Sequence, residues 1–143
     1  MIEVKNVSKS FDDKTILHNV SAKFRDGITN LIIGQSGSGK TVLMKSLVGL
    51  HTPDEGEILY AGRDLLKMNN NQRKALRKEI GMLFQGSALF DSETVLGNVM
   101  FPLKMFSDMS YEEQLERAHF CINRVNLVGA DDKYPSEISG GMQ

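Results

Sequence analysis

The chain has 143 residues, 41% hydrophobic and 24% charged, which suits one soluble domain with a modest core. Its formal net charge is −1, so no global field selects nucleic acid or an anionic membrane. The single cysteine, Cys121, excludes an intramolecular disulfide, and no apolar run approaches the length that spans a bilayer.

The N-terminus lacks the apolar stretch of a signal peptide, so the expected location is cytoplasmic. Any membrane association is expected to go through a partner. Residues 2–11 alternate, with Ile2, Val4 and Val7 set against Glu3, Lys5 and Asn6. Residues 15–24 carry a similar pattern through Ile16, Leu17, Val20, Ala22 and Phe24. Asp12, Asp13 and Lys14 make a plausible turn between them, so the two runs read as a strand pair. Asp26-Gly27 is a tight turn into an apolar run, residues 29–33, which reads as a buried strand.

Residues 34–41, Gly-Gln-Ser-Gly-Ser-Gly-Lys-Thr, follow directly and fit G-x-x-x-x-G-K-[ST]. A helix is expected from residues 41–50, so the motif lies between strand and helix, where a phosphate-binding loop needs to lie. Gly34, Gly37 and Gly39 let the backbone wrap a polyphosphate at dihedrals other residues avoid. The amides around Ser36 and Ser38, with the positive end of the helix dipole, then face the anion. Lys40 is expected to reach the β- and γ-phosphates of ATP, and the Thr41 hydroxyl to ligate Mg²⁺.

Residues 51–56 form a breaker cluster, residues 57–61 a short strand, and Gly62, Arg63 and Asp64 a turn. Asn69, Asn70 and Asn71 offer caps before a basic helix at 72–78. Its Arg73, Lys74, Arg77 and Lys78 read as a solvated face, and nucleic acid is not an expected partner. Residues 80–84 read as a second buried parallel strand, ending at Gln85. Pro102 is expected to break or kink the apolar segment 95–106. Ser110 with Glu113 makes a capping box before a helix whose Leu115, Ala118, Ile122 and Val125 share a face, and Gly129 is a natural stop. Cys121 falls in that helix as a packed thiol. Strands and crossover helices together argue for an α/β fold.

Three further features fall into step with the phosphate loop: Phe11 after the first strand, Gln85 closing the strand at 80–84, and Ile138-Ser139-Gly140-Gly141-Met142 at the end. In that order they resemble the nucleotide-binding domain of ABC transporters, across all 143 residues. The resemblance implies an ABC-type P-loop NTPase with an N-terminal antiparallel β region and the start of a helical subdomain. It implies a division into residues 1–87, holding the β region and phosphate loop, and 88–143, the helical subdomain ending at the signature. It implies that Phe11 stacks on adenine, which needs only a π face, whereas alone Phe11 reads as core. It implies that Gln85 assists catalysis and ligates Mg²⁺ through its amide oxygen. Ser139, Gly140 and Gly141 are implied to contact ATP held by a second ATPase subunit in a head-to-tail dimer. Met142 departs from the usual glutamine of that signature.

Residues 82–91, with Asn98, Val99, Phe101, Pro102 and Leu103, look like the ATPases of Mce-type phospholipid transporters. The alternatives are the ATPase of a small-solute importer and a non-transport ABC ATPase. A transporter ATPase implies a permease partner docked after Gln85, around residues 86–106, with Leu89, Phe90, Val95, Val99 and Phe101 divided between subdomain core and docking groove. The family's Walker B strand, catalytic glutamate and switch histidine lie beyond the stretch that ends at Gln143. The expectation is therefore a truncated core sheet, open strand edges, and a chain that binds ATP without hydrolysing it.

Overall fold

In the computed structural model, which describes every residue except Gln85 and Ser87, the first two strands form as their alternation predicts. Strand β1, Ile2–Phe11, pairs antiparallel with β2, Lys14–Phe24, across a turn at Asp12 and Asp13. Val4 and Val7 are both buried although an odd spacing separates them. Side chains alternate faces along a strand, so an extra residue must be absorbed. The register shifts between Val4 and Val7 do this, and Asn6 takes φ 50. On its other side β1 pairs antiparallel with β3, Glu55–Tyr60. The bulge brings the Lys5 and Asn6 carbonyls against Gly56, where a Cβ would lie 2.5 Å from both oxygens. The short β4, Arg63–Asp64, completes a sheet ordered β2-β1-β3-β4, so residues expected as turn supply an edge strand.

Helix α1, Lys40–Leu47, packs Leu43 and Leu47, one turn apart, onto this sheet. They join Val4, Val7, Leu17, Ile58, Tyr60, Leu65 and Leu76 in one core. The Tyr60 hydroxyl donates to the Leu47 carbonyl at 2.7 Å, which satisfies both a buried phenol and a helix-end acceptor. Helix α2, Asn70–Lys78, starts at the capping box of Asn69 and Gln72 and buries Leu76, leaving Lys74, Arg77 and Lys78 exposed.

Two expectations are corrected in this part of the chain. Residues 29–33 and 80–84 belong to no strand. Leu31 and Ile33 are 82% and 81% exposed, and Leu83 is 86% exposed. A parallel strand is buried only when ladder neighbours and covering helices enclose it. Among the described residues neither run has a ladder neighbour. Ile32 and Ile80 alone in these runs pack against the core.

The chain divides into two compact units, Met1–Gly81 and Met82–Gln143. The second is helical. Helix α3, Val95–Phe106, begins at Thr94, whose side chain accepts from the Gly97 amide. It runs through Pro102 without a break, since the exposed proline costs one ladder bond while Ser107 closes the end on the Leu103 carbonyl. Helix α4, Tyr111–Arg124, starts at the expected Ser110–Glu113 capping box. It buries Gln114, Ala118 and Ile122, with Leu115 and Cys121 half-buried. Val125 is exposed rather than packed, because the helix stops there and Asn126 at φ 58 turns the chain before Gly129. Val95, Ile122 and Ala130 form the core here, with Leu96, Val99, Leu127, Ile138 and Met142 against it. No helix among the described residues is long and apolar enough to cross a membrane.

Candidate functional site

Helices α2, α3 and α4 each begin at a side chain that accepts from their first-turn amides: Asn69, Thr94 and Ser110. Helix α1 begins differently. Its N-cap is Gly39, which has no side chain to offer. The first-turn amides of α1 therefore keep their donor capacity and the dipole's positive end, as an anion requires.

The loop before α1 is built around that opening. Gly39 takes φ 89, and a Cβ there would meet the Ile16 carbonyl oxygen at 3.1 Å and Leu17 Cδ2 at 3.0 Å. The close approach seats the loop on β2, and only glycine allows it. Gly37 also has positive φ, with nothing within 4 Å of a would-be Cβ, so this side of the loop is open. At Gly34 a Cβ would fall 2.7 Å from Ser38 Oγ, across the loop. The Ser38 amide donates to the Gln35 carbonyl at 3.2 Å. Lys40 Nζ donates to the Gly34 and Gln35 carbonyls at 2.8 and 2.7 Å. Gly34, Ser36, Gly37, Ser38 and Thr41 are exposed, Lys40 is half-buried and Gly39 buried. The structure thus brings the loop residues together as a largely exposed strip, with Lys40 tethered to loop carbonyls.

A divalent cation has less to hold it. Among the described residues no group of three His, Cys, Asp or Glu could bind one. The exposed Thr41 hydroxyl at the start of α1 is the oxygen that fits, as one ligand of an ion carried mainly by phosphate oxygens and water. Gln85, the other expected ligand, lies outside the described residues.

Phe11 stands at the end of β1, paired with Lys14 and 39% exposed. It belongs to no core cluster. Its ring meets His51 with centroids 5.2 Å apart at 75°, and Lys9 Nζ lies 5.3 Å from its centroid. Lys9 Nζ also donates to Asp54 Oδ1 at 2.7 Å, and the Ser10 amide donates to Asp54 Oδ2 at 2.6 Å. The Lys9 hydrogen bond first, then that of Ser10, holds the Asp54 carboxyl below its ordinary value. Sequence reasoning missed Lys9, His51 and Asp54, which carry no motif.

Ser139, Gly140 and Gly141 are exposed in the second unit. The Ser139 carbonyl accepts from the Met142 and Gln143 amides at 2.8 and 3.1 Å, closing a turn at the end of the described residues. Ile138 and Met142 flank it and pack on the helical core. Methionine at 142 thus serves packing. The permease-groove candidates divide: Val95 is buried and Val99 packs on the core, while Phe90 and Phe101 are exposed with ring centroids 4.7 Å apart.

A family model described as ABC transporter matches residues 17–143. The methionine import ATP-binding protein MetN of Clostridium tetani is 37% identical over 147 residues, covering 100% of this chain and 45% of that protein. The intermembrane phospholipid transport system ATP-binding protein MlaF of Haemophilus influenzae is 37% identical over 142 residues, covering 99% of this chain and 54% of that protein. The chain thus spans about half the length of these curated relatives. A solved dimeric structure of the ATP-binding cassette MJ0796, bound to ADP and Pi, superposes with a TM-score of 0.85 and 30% identity. That match covers 99% of this chain and 65% of the other.

Proposed function

This chain belongs to the ABC transporter family, and we propose that it carries the nucleotide-gripping half of an ATPase subunit that couples ATP to transport across a membrane. The observation that carries this reading is the uncapped N-terminus of α1 behind a glycine loop whose lysine sits within it. In this reading the amides of residues 36–41 cradle the phosphates. Lys40 leaves its loop carbonyls to meet the β- and γ-oxygens, exchanging neutral acceptors for charged ones. Thr41 contributes a hydroxyl to Mg²⁺, with Gln85 as a second ligand. The ion supplies charge neutralisation on the polyphosphate. Phe11 offers its exposed ring to adenine.

The remaining assignments extend this reading. Residues 1–87 hold the nucleotide and residues 88–143 form the helical subdomain. Ser139, Gly140 and Gly141 face ATP bound by a second ATPase subunit, a reading that the dimeric cassette structures support. The exposed Phe90–Phe101 pair joins the surface that receives a permease, which holds the protein at the cytoplasmic face of a membrane. The cargo is phospholipid, in line with the MlaF relative. A second reading, a small-solute importer, is favoured by the MetN relative at the same 37% identity.

Equilibrium binding of Mg·ATP to the chain tests the nucleotide reading, with inorganic tripolyphosphate as competitor. Displacement by tripolyphosphate is expected, and failure to bind Mg·ATP overturns the reading. For the cargo, the whole ATPase subunit, in complex with a permease that co-purifies with it, is reconstituted in liposomes. ATP-dependent movement of labelled phospholipid supports the first reading, and movement of labelled methionine alone supports the second.

A further inference from the structure

The phenyl ring of Phe11 is held from outside the core by groups that no motif assigns. Lys9 is on the same strand, His51 lies beyond α1, and Asp54 lies just before β3. The Asp54 amide donates to the Ser8 carbonyl at 2.9 Å, which locks this turn to β1. Asp54 then grips Lys9 Nζ and the Ser10 amide with separate oxygens. The lysine side chain is only 16% exposed, low for a lysine. Its ammonium is fixed near the Phe11 ring at 5.3 Å from the centroid. A cation at that distance is attracted to the ring's π face.

We propose that Lys9, clamped by Asp54, is a positioning and specificity-determining residue for the base of the bound nucleotide, acting through Phe11. The inference rests on the nucleotide reading above, in which Phe11 stacks on that base. An exposed phenylalanine at a hairpin end otherwise samples several rotamers, and a base that stacks on it must first arrest them. Lys9 and His51 arrest the ring beforehand. The ammonium also draws π density toward itself, which suits the ring to an electron-rich purine on a free face.

The test measures affinity of the chain for Mg·ATP and for tripolyphosphate, which has no base. Lys9→Met keeps the stem and removes the charge. It is expected to weaken ATP about three- to tenfold, the scale of one freed side chain and one lost cation–π contact, and to leave tripolyphosphate unchanged. Lys9→Arg is expected to recover most of the loss, since guanidinium also binds π faces. In a Phe11→Ala background, Lys9→Met is expected to have no further effect on ATP. Asp54→Asn is the second variant: it can still accept from the Ser10 amide but releases the lysine, and the same ATP-only loss is expected.

Unchanged ATP affinity in both Lys9→Met and Asp54→Asn overturns the inference. So does an equal loss for tripolyphosphate, which marks a general charge effect, or a Lys9 effect that persists without Phe11. If Phe11→Ala leaves ATP affinity unchanged, the stacking reading itself fails and takes this inference with it. If Phe11→Ala weakens ATP while Lys9→Met does not, only the role of Lys9 fails.

Discussion

Lys40 closes its own loop on Gly34: Nζ donates to the Gly34 carbonyl oxygen at 2.8 Å, and to Gln35 beside it at 2.7 Å. The cation is thus held in place before any anion arrives. In the proposed reading, phosphate oxygens replace two neutral carbonyls as its partners.

Lys40→Met removes that cation and keeps most of the stem. Hydrogen bonds to charged groups contribute roughly 1.5–3 kcal/mol, so Mg·ATP affinity is expected to fall about 10- to 100-fold. Isothermal titration against the parent chain measures this. Equal affinities would falsify the assigned role of Lys40.

Gly39→Ala places a methyl against Leu17 and the Ile16 carbonyl, at a φ of 89. Left-handed backbone costs about 1–2 kcal/mol for a non-glycine residue, and the close contact adds to it. The expected loss is about 2–4 kcal/mol by urea unfolding, with weaker nucleotide binding. Retention of parental stability would mean that the loop is not seated on β2 as described.

Leu31→Ser distinguishes an exposed run from a buried strand. With Leu31 82% exposed, the expected change in unfolding free energy is within about 0.5 kcal/mol. A loss of several kcal/mol would place Leu31 in a core. A second readout is self-association by analytical ultracentrifugation, which is expected to decrease because an exposed apolar edge has been made polar.

Three carboxyls, Asp54, Asp64 and Glu79, are held below their ordinary values and give the acid side of the stability curve its direction. Lys9 and then Ser10 hold Asp54 below its ordinary 3.8, and Arg63, through a paired contact at 3.3 and 2.9 Å, does the same for Glu79. A carboxyl depressed in the fold contributes stability above its unfolded value and loses it as pH falls through the folded value. Stability is expected to be flat from neutral pH to about 5 and to decline below about 4. Asp54→Asn is expected to decline less steeply there, measured by urea midpoints across the range. An identical acid limb in the variant would count against the Lys9–Asp54 contact.

Ser110→Ala removes the acceptor for the Glu113 amide at the start of α4. The expected cost is about 1 kcal/mol in the second unit, read by hydrogen exchange of the first-turn amides. Unchanged protection at Glu113 would rule out the cap.

What could be read early was local. The hairpin of β1 and β2 follows from alternation and a short turn, and the caps at Asn69 and Ser110 follow from side chains three residues from their partners. The phosphate loop was legible for the same reason, since its glycines, lysine and threonine are contiguous and their chemistry is that of adjacent atoms. Residues 29–33 and 80–84 were misread as buried strands because apolar composition reports what a segment can bury, not whether a neighbour is there to bury it. The Phe11 surroundings were illegible because Lys9, His51 and Asp54 meet only through β1–β3 pairing and the turn after α1.

The sequence by itself determined where the proposed phosphate site lies, because a glycine-rich run opening a helix leaves amides without side-chain caps. Only the tertiary structure decided that Gly39 seats the loop on Ile16 and Leu17. It also decided that Lys40 waits on its own carbonyls and that Asp54 holds Lys9 over Phe11. The physical reason is range. Dihedral preference and helix-end polarity act between neighbours in the chain, whereas close packing and hydrogen bonding act between whatever the fold brings within a few ångströms.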